Sequence, residues 1–325
     1  MSAPVTHYTS GMLPHRNTAR KPGDGEQGLS EVIGFVLILG LIVIFITLWM
    51  TYVVPAEGRE NEIQHMNDVR DWFTQYKITL DSLWINSMNT DLTFPTISNS
   101  LTLGSQGGAT QAGGFYLPLM KPIGSTGGIA VVNYDERIRI LIDNDEKADL
   151  NIGALEFRAS NHYWIPQTYY YQMGGVFLQQ EGGTVARVAP LIDLKNLNGT
   201  HIGLDITLVN ISGGGLVSIS GQGPVRVDTR MDSASRTESY FETNMSVILN
   251  LRNESTAIAW ENVLKEIRYS RGIPQPPNST MNCTIFRDNS TVTMNIRSFP
   301  VQSKATIYYP ANYTVSLQSI ATGVT

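Results

Sequence analysis

The side chains able to do chemistry are few beyond residue 98: His162, His201 and the single cysteine, Cys283. In that part of the chain no His-x-x-x-His or Glu-x-x-His pair offers metal-ligand spacing. No G-x-S-x-G nucleophile turn occurs either; "VSISGQG" lacks the leading glycine. With one cysteine, neither an intrachain disulfide nor a thiolate metal site can form. Cys283, within Asn282-Cys283-Thr284, reads as a small buried hydrophobe rather than a nucleophile. "DNDEKAD" (143–149) gathers Asp143, Asp145, Glu146 and Asp149. Lys147 stands where a calcium loop offers an oxygen, and that loop's glycine is missing, so a solvated turn is expected. No catalytic residue, metal site or cofactor is therefore expected, and the chain does not read as an enzyme. A net charge of -5 leaves no Lys/Arg surplus to replace counterions on a phosphate backbone, which argues against a nucleic-acid partner.

Two other patterns point to chemistry done to the chain. The N-glycosylation acceptor pattern N-x-[ST] recurs at Asn198, Asn210, Asn244, Asn253, Asn278, Asn282, Asn289 and Asn312, all in the C-terminal part, and predicts an outer, glycosylated domain. The second is "GEQGLSEVIGFVLILGLIVIFITLWMTYVV" (25–54), where Gly28 and Glu31 precede 23 uncharged residues, Val32 to Val54. As a helix that run reaches roughly 35 Å, enough for a hydrocarbon core of ~30 Å. It is too long for a secretory h-region and has no small-residue cleavage site at its end. A mean hydropathy of -0.08 over the whole chain fits one lipid-spanning segment diluted by a polar remainder. Arg16, Arg20 and Lys21 precede the segment; only Arg59, among Glu57, Glu60 and Glu62, follows closely. The positive-inside rule puts the N-terminus in the cytoplasm and the remainder outside.

This order of basic leader, glycine, carboxylate and retained apolar helix resembles a prepilin signal of the type IV pilin superfamily. It is most similar to the archaeal pilin N-terminal family, through the core Ser30-Glu31-Val32-Ile33-Gly34. The resemblance covers residues 24–54. It implies a leader of residues 1–28, cut on the cytoplasmic side between Gly28 and Leu29 by a prepilin peptidase. It also implies a helix over 29–54 that is first a membrane anchor and then filament core among other pilin subunits. Glu31 then either neutralises the new α-amino group of a Leu29, an assembly role, or stays solvated among lipid headgroups; a buried unpaired carboxylate would be costly. Gly34 and Gly40 would let helices approach closely in lipid. The large remainder suggests a minor or adhesive pilin. The alternative is a single-span surface receptor or binding module that keeps its leader.

The positioning elements follow from periodicity. Pro55 and Gly58 are expected to interrupt the apolar helix. Ile63, Met66, Val69, Phe73, Tyr76, Leu80 and Leu83 then recur three and four apart and predict an amphipathic helix over roughly 59–88, within a stem of 55–90. Ser98 to Gly128 reads as a long Gly/Ser/Thr loop with one or two edge strands; it lacks the Lys-Ser/Thr of a phosphate cradle. Beyond it the period becomes two, from "RIRILI" (137–142) to Val315-Leu317, with Gly-rich turns between. Tyr169-Tyr170-Tyr171 reads as a strand covered on both faces rather than an adhesive surface. Ala257, Trp260, Val263, Leu264 and Ile267 share one face of a helix over 256–269, stopped by Gly272-Ile273-Pro274. The expected fold is α+β: a long hydrophobic-then-amphipathic helix, then an antiparallel β-sandwich-like head over 91–325 with one short helix.

Overall fold

The computed structural model describes residues 24–87, 96–105, 121–197, 199–232, 236–274, 281–298 and 301–320. Most of the expected leader, the Gly-rich 106–120, and the acceptors Asn198 and Asn278 lie outside those residues. The chain forms two compact units, Met1–Val53 and Val54–Thr325.

The first unit is helical: α1 (Asp24–Leu48) followed by one π turn, Trp49–Val53. The second begins with α2 (Val54–Ser87). Pro55 and Gly58 do not break the helix as expected; both lie inside α2. A proline ring clashes with the carbonyl four residues back and donates no N–H. The wider π turn just ahead of Pro55 relieves that clash without ending the helix.

Strands follow in the order β1 (Thr96–Thr102), β2 (Thr126–Ile142), β3 (Asp145–Ser160), β4 (Thr168–Gln172), β5 (Gly175–Gln180), β6 (Gly183–Val188), β7 (Ile192–Leu197) and β8 (His201–Gly213). Then come β9 (Ser218–Gly221), β10 (Pro224–Met231), β11 (Thr237–Glu242), β12 (Asn244–Asn250), α3 (Glu254–Ser270), β13 (Met281–Asp288), β14 (Thr291–Ser298) and β15 (Ser303–Ser319). One sheet runs β1-β10-β15-β8-β7, with β11 also on β15; the other runs β13-β14-β12-β2-β3-β4-β5-β6, with β9 also on β2. All pairs are antiparallel except β8 with β15. That one parallel pair departs from an otherwise antiparallel head; the chain between its two strands passes through β10 and β11 of the same sheet, four strands of the other sheet and α3, the long crossover a parallel pair needs. Its register shifts between Tyr308 and Ala311, where Pro310 has no N–H for the ladder.

Inner faces of the two sheets share their cores. Ile138, Ile140, Val247 and Met294 of one sheet and Leu204, Ile206 and Ile307 of the other enclose Trp260 and Leu264 of α3. A second cluster sets Phe73, Tyr76 and Leu80 of α2 against Phe157, Tyr169, Tyr171, Val227 and Tyr313. Tyr170 points the other way, stacked on Phe177 at 5.1 Å, so β4 is covered on both faces. α3 starts two residues before the expected boundary because Asn253 caps it, accepting the Thr256 N–H at 2.8 Å. It ends at Gly272, whose φ of 63° favours glycine, with the Ile273 N–H returning to the Arg268 carbonyl.

Candidate anchor helix and the clamp on its stem

Among the described residues one helical stretch is long and apolar enough to cross a membrane; its most apolar window has a mean hydropathy of 3.0 and no buried residue. From Glu31 to Val53 no residue is buried, and Val32–Val53 carries no charge. The two threonine hydroxyls in the run are satisfied inside the helix: Thr47 Oγ1 donates to the Val43 carbonyl at 2.8 Å and Thr51 Oγ1 to the Thr47 carbonyl at 2.7 Å. That suits hydrocarbon, where an unpaired donor is costly. Gly34 and Gly40 face open space. α1 runs unbroken through Gly28 and Leu29, and Glu31 is exposed.

On α2 the apolar stripe buries Met66, Val69, Phe73, Tyr76 and Leu80, as the spacing predicts. Three ionisable groups on the same face were not anticipated: Glu62, His65 and Lys77. Glu62 is fully buried. Its Oε1 accepts the backbone N–H of His162 at 2.6 Å; its Oε2 accepts those of Tyr163 at 2.8 Å and Trp164 at 2.6 Å. Successive N–H groups in a loop make a nest for an anion, and here the anion is a side chain of the stem. The clamp is wedged shut: a Cβ on Gly58 would stand 2.4 Å from the Tyr163 ring. The Arg59 guanidinium sits 4.4 Å from the Trp164 ring centroid. His65 Nε2 donates to the Thr102 carbonyl at 3.0 Å. Further along, Tyr76 and Thr229 hydroxyls bond at 2.9 Å, and Tyr313 donates to the Leu80 carbonyl at 2.9 Å. Lys77 Nζ pairs with Asp81 at 2.5 Å, and burial raises the Asp81 carboxyl above its ordinary value against the pull of Lys77.

Glu62 and His65 are spaced as Glu-x-x-His, but they do not form a metal pair. Both carboxylate oxygens are committed to backbone donors. Among the described residues no cluster of three His, Cys, Asp or Glu could hold an ion. A sequence signal did exist: Glu62 falls in phase with Met66, Val69 and Phe73, a carboxylate on a core-facing stripe.

A second buried ionic centre joins β2, β3, β4 and the start of α3. Arg252 Nη1 donates to Glu156 Oε2 at 2.6 Å, and its backbone N–H to Glu136 Oε1 at 2.8 Å. Its guanidinium lies 4.4 Å from the Tyr170 ring centroid and 4.8 Å from that of Tyr134. Gln172 Nε2 donates to Glu136 Oε2 and takes the Trp260 indole N–H at 3.2 Å; Arg158 Nε closes on Glu156 Oε1. Burial raises the Glu136 carboxyl above the usual range, opposed by the Arg252 N–H and charge. Burial alone would lower the Arg252 value, but the Glu156 hydrogen bond and the surrounding groups outweigh it. Every carboxylate oxygen here has a protein donor, so the centre fastens elements together.

The remaining candidates spread over the head. Asn289 is exposed at the β13–β14 turn, with φ 50°. Asn244 is exposed, accepts from Arg297 Nε at 3.1 Å, and shares a cross-strand row with Arg297 and the half-buried Asn282. Asn253 is spent on the α3 cap. Asn210 and Asn312 face each other across β8 and β15: Asn210 Nδ2 donates to Asn312 Oδ1 at 3.4 Å while its Oδ1 takes the Gly153 N–H at 3.1 Å. Asp143 and Asn144, with φ of 47° and 68°, form the tight turn of the β2–β3 hairpin, and Lys147 pairs with Asp145. Cys283 is fully buried, and burial pushes its thiol up to about 12. Comparison with known families, curated proteins and solved structures finds no match.

Proposed function

We propose that the chain is a type IV pilin-like cell-surface protein of the archaeal kind, made as a precursor and held or assembled through its N-terminal helix. A prepilin peptidase would cut between Gly28 and Leu29, leaving Leu29 as the first residue and Glu31 as third. The helix over 29–54 then anchors the protein in the bilayer and is available to other pilin subunits, with the N-terminus cytoplasmic and the β-rich head outside. The size of the head favours a minor or adhesive pilin over a bulk filament subunit. The observation that carries the reading is the helix Val32–Val53: uncharged, unburied along its whole length, and opened by the Gly28–Glu31 signal. Exposed apolar area of that extent needs lipid or neighbouring helices to cover it. We read the role of the head as binding or structural.

One observation favours the second reading, a single-span binding module that keeps its leader: α1 continues as helix from Asp24 through the Gly28–Leu29 bond. A helical bond must be unwound before a peptidase can cut it. N-terminal sequencing or intact mass of membrane-extracted protein separates the two. Leu29 at the start supports the pilin reading; a retained Met1 or Ser2 refutes it in favour of the permanent anchor. Sheared-fibre preparations then test whether the processed chain polymerises.

A further inference from the structure

The segment of the head that clamps the stem carries apolar side chains that nothing in the head covers. Ile165 is 42% exposed and Ile123 66% exposed; His162 and Pro166 are exposed and Trp164 is half-buried between them. The two pieces of chain are tied, the Ile123 N–H donating to the Tyr163 hydroxyl at 3.2 Å. Their position along α2 is fixed. Tyr163 packs on Gly58, Trp164 on Arg59, and the backbone of 162–164 on Glu62. Those positions are roughly 6–12 Å of helix from Val54, where the apolar segment ends.

We propose that this rim, Ile123 with Trp164 and Ile165, sits in the lipid–water interface of the membrane leaflet from which α2 emerges. The proposal rests on the helix spanning a bilayer, and adds a second, peripheral contact made by the head itself. The chemistry suits an interface. Indole and phenol rings place an apolar body in lipid and a polar edge in water, and an arginine stacked on the indole is at home among headgroup phosphates. The half-buried Glu57 and exposed Glu60 on the same turns disfavour a strongly anionic leaflet, so the fitting surface is a zwitterionic one. The clamp makes the rim rigid: three backbone N–H groups locked on one carboxylate hold the loop to the first turns of α2. Membrane contact here would restrict the tilt of the head rather than supply the anchoring.

The test uses the full chain in phosphatidylcholine vesicles, with single nitroxide labels at I165C, I123C, I42C and F241C; the native Cys283 is buried and unlabelled. Phe241 adjoins the Asp143 turn, at the opposite end of β3 from Ser160, and reports the aqueous reference. Expected is an oxygen-to-nickel-chelate accessibility ratio at Ile165 and Ile123 several-fold above that at Phe241, approaching the ratio at Ile42. If Ile42 reads as lipid while Ile165 and Ile123 match Phe241, the interface proposal falls and the spanning helix stands. If Ile165 and Ile123 are closed to both reagents, a neighbouring protein covers the rim and the proposal is overturned. If Ile42 itself reads as aqueous, the spanning reading fails and the proposal with it.

Discussion

Replacing Glu62 probes the contact on which the stem–head arrangement depends. Its carboxylate receives three backbone N–H groups at 2.6, 2.8 and 2.6 Å, two on Oε2 and one on Oε1. A hydrogen bond to a charged group contributes about 1.5–3 kcal/mol net, and an orphaned buried donor costs about 1–3 kcal/mol. Simple addition would overstate the loss, because the bonds share one acceptor and the loop lies near water at His162. Glu62→Ala is therefore expected to cost about 3–4 kcal/mol. Glu62→Gln keeps one carbonyl-type oxygen for Tyr163 and Trp164 but turns an NH2 toward the His162 N–H, so its cost should be about 1.5–2 kcal/mol. For a unit of this size each kcal/mol lowers Tm by roughly 2–4 °C. Thermal and denaturant unfolding of the full chain in nanodiscs, followed by tryptophan fluorescence, gives the order wild type, Gln, Ala. Amide hydrogen exchange supplies the local reading: protection of residues 162–164 falls in both variants. The reasoning is refuted if Glu62→Ala unfolds within about 1 kcal/mol of wild type with those amides still protected.

Gly58→Ala drives a Cβ into the Tyr163 ring at 2.4 Å and should destabilise by about 1–3 kcal/mol despite the helix propensity gained; Tyr163→Ala in the same chain should remove most of that penalty, a coupling measured by a double-mutant cycle. Arg252→Met removes the cation shared by Glu136 and Glu156, leaving Glu136 buried with neutral donors alone and Glu156 with its Arg158 pair, and is expected to cost about 3–5 kcal/mol in denaturant titration. Cys283, with its thiol pushed up to about 12 by burial, should resist a disulfide reagent at pH 8 and react fully once denaturant is added; rapid reaction in the native protein would contradict its placement. Glycopeptide mass spectrometry of protein from its native host should find sugar at the exposed Asn289 and none at Asn210, whose Nδ2 is turned onto Asn312.

Much of the head is legible because a half-buried strand writes its period into the chain. Ile138, Ile140 and Ile142 bury one face while Arg139 and the less buried Leu141 take the other; Val292, Met294 and Ile296 alternate likewise with Thr293 and Asn295. The three tyrosines of β4 read correctly as core because a run without alternation has both faces covered. Periodicity could not reveal pairing. Nothing in "NYTV" (312–315) or "NISG" (210–213) says that β8 and β15 lie parallel, since register depends on the crossover between them. Nor could local rules foresee that a π turn would carry the helix past Pro55.

The buried charges were legible only as anomalies. Glu136 continues the inward phase of the β2 isoleucines, and Glu62 that of the α2 stripe, but neither position says what the carboxylate meets. For Glu136 the partner is at least a side chain, Gln172, together with a backbone N–H at Arg252. For Glu62 all three donors are main-chain groups about a hundred residues away, so no residue type marks the other half of the clamp. That has a functional consequence. A clamp made of backbone N–H groups places no demand on the side chains of His162, Trp164 or Ile165. Tyr163 is held by its own ring, packed on Gly58 and accepting from Ile123, and the Trp164 ring adds its contact with Arg59. The loop can therefore fasten the stem with its main chain while its side chains serve an outward surface, which is why an exposed isoleucine and a half-exposed indole can stand at the most constrained point of the stem.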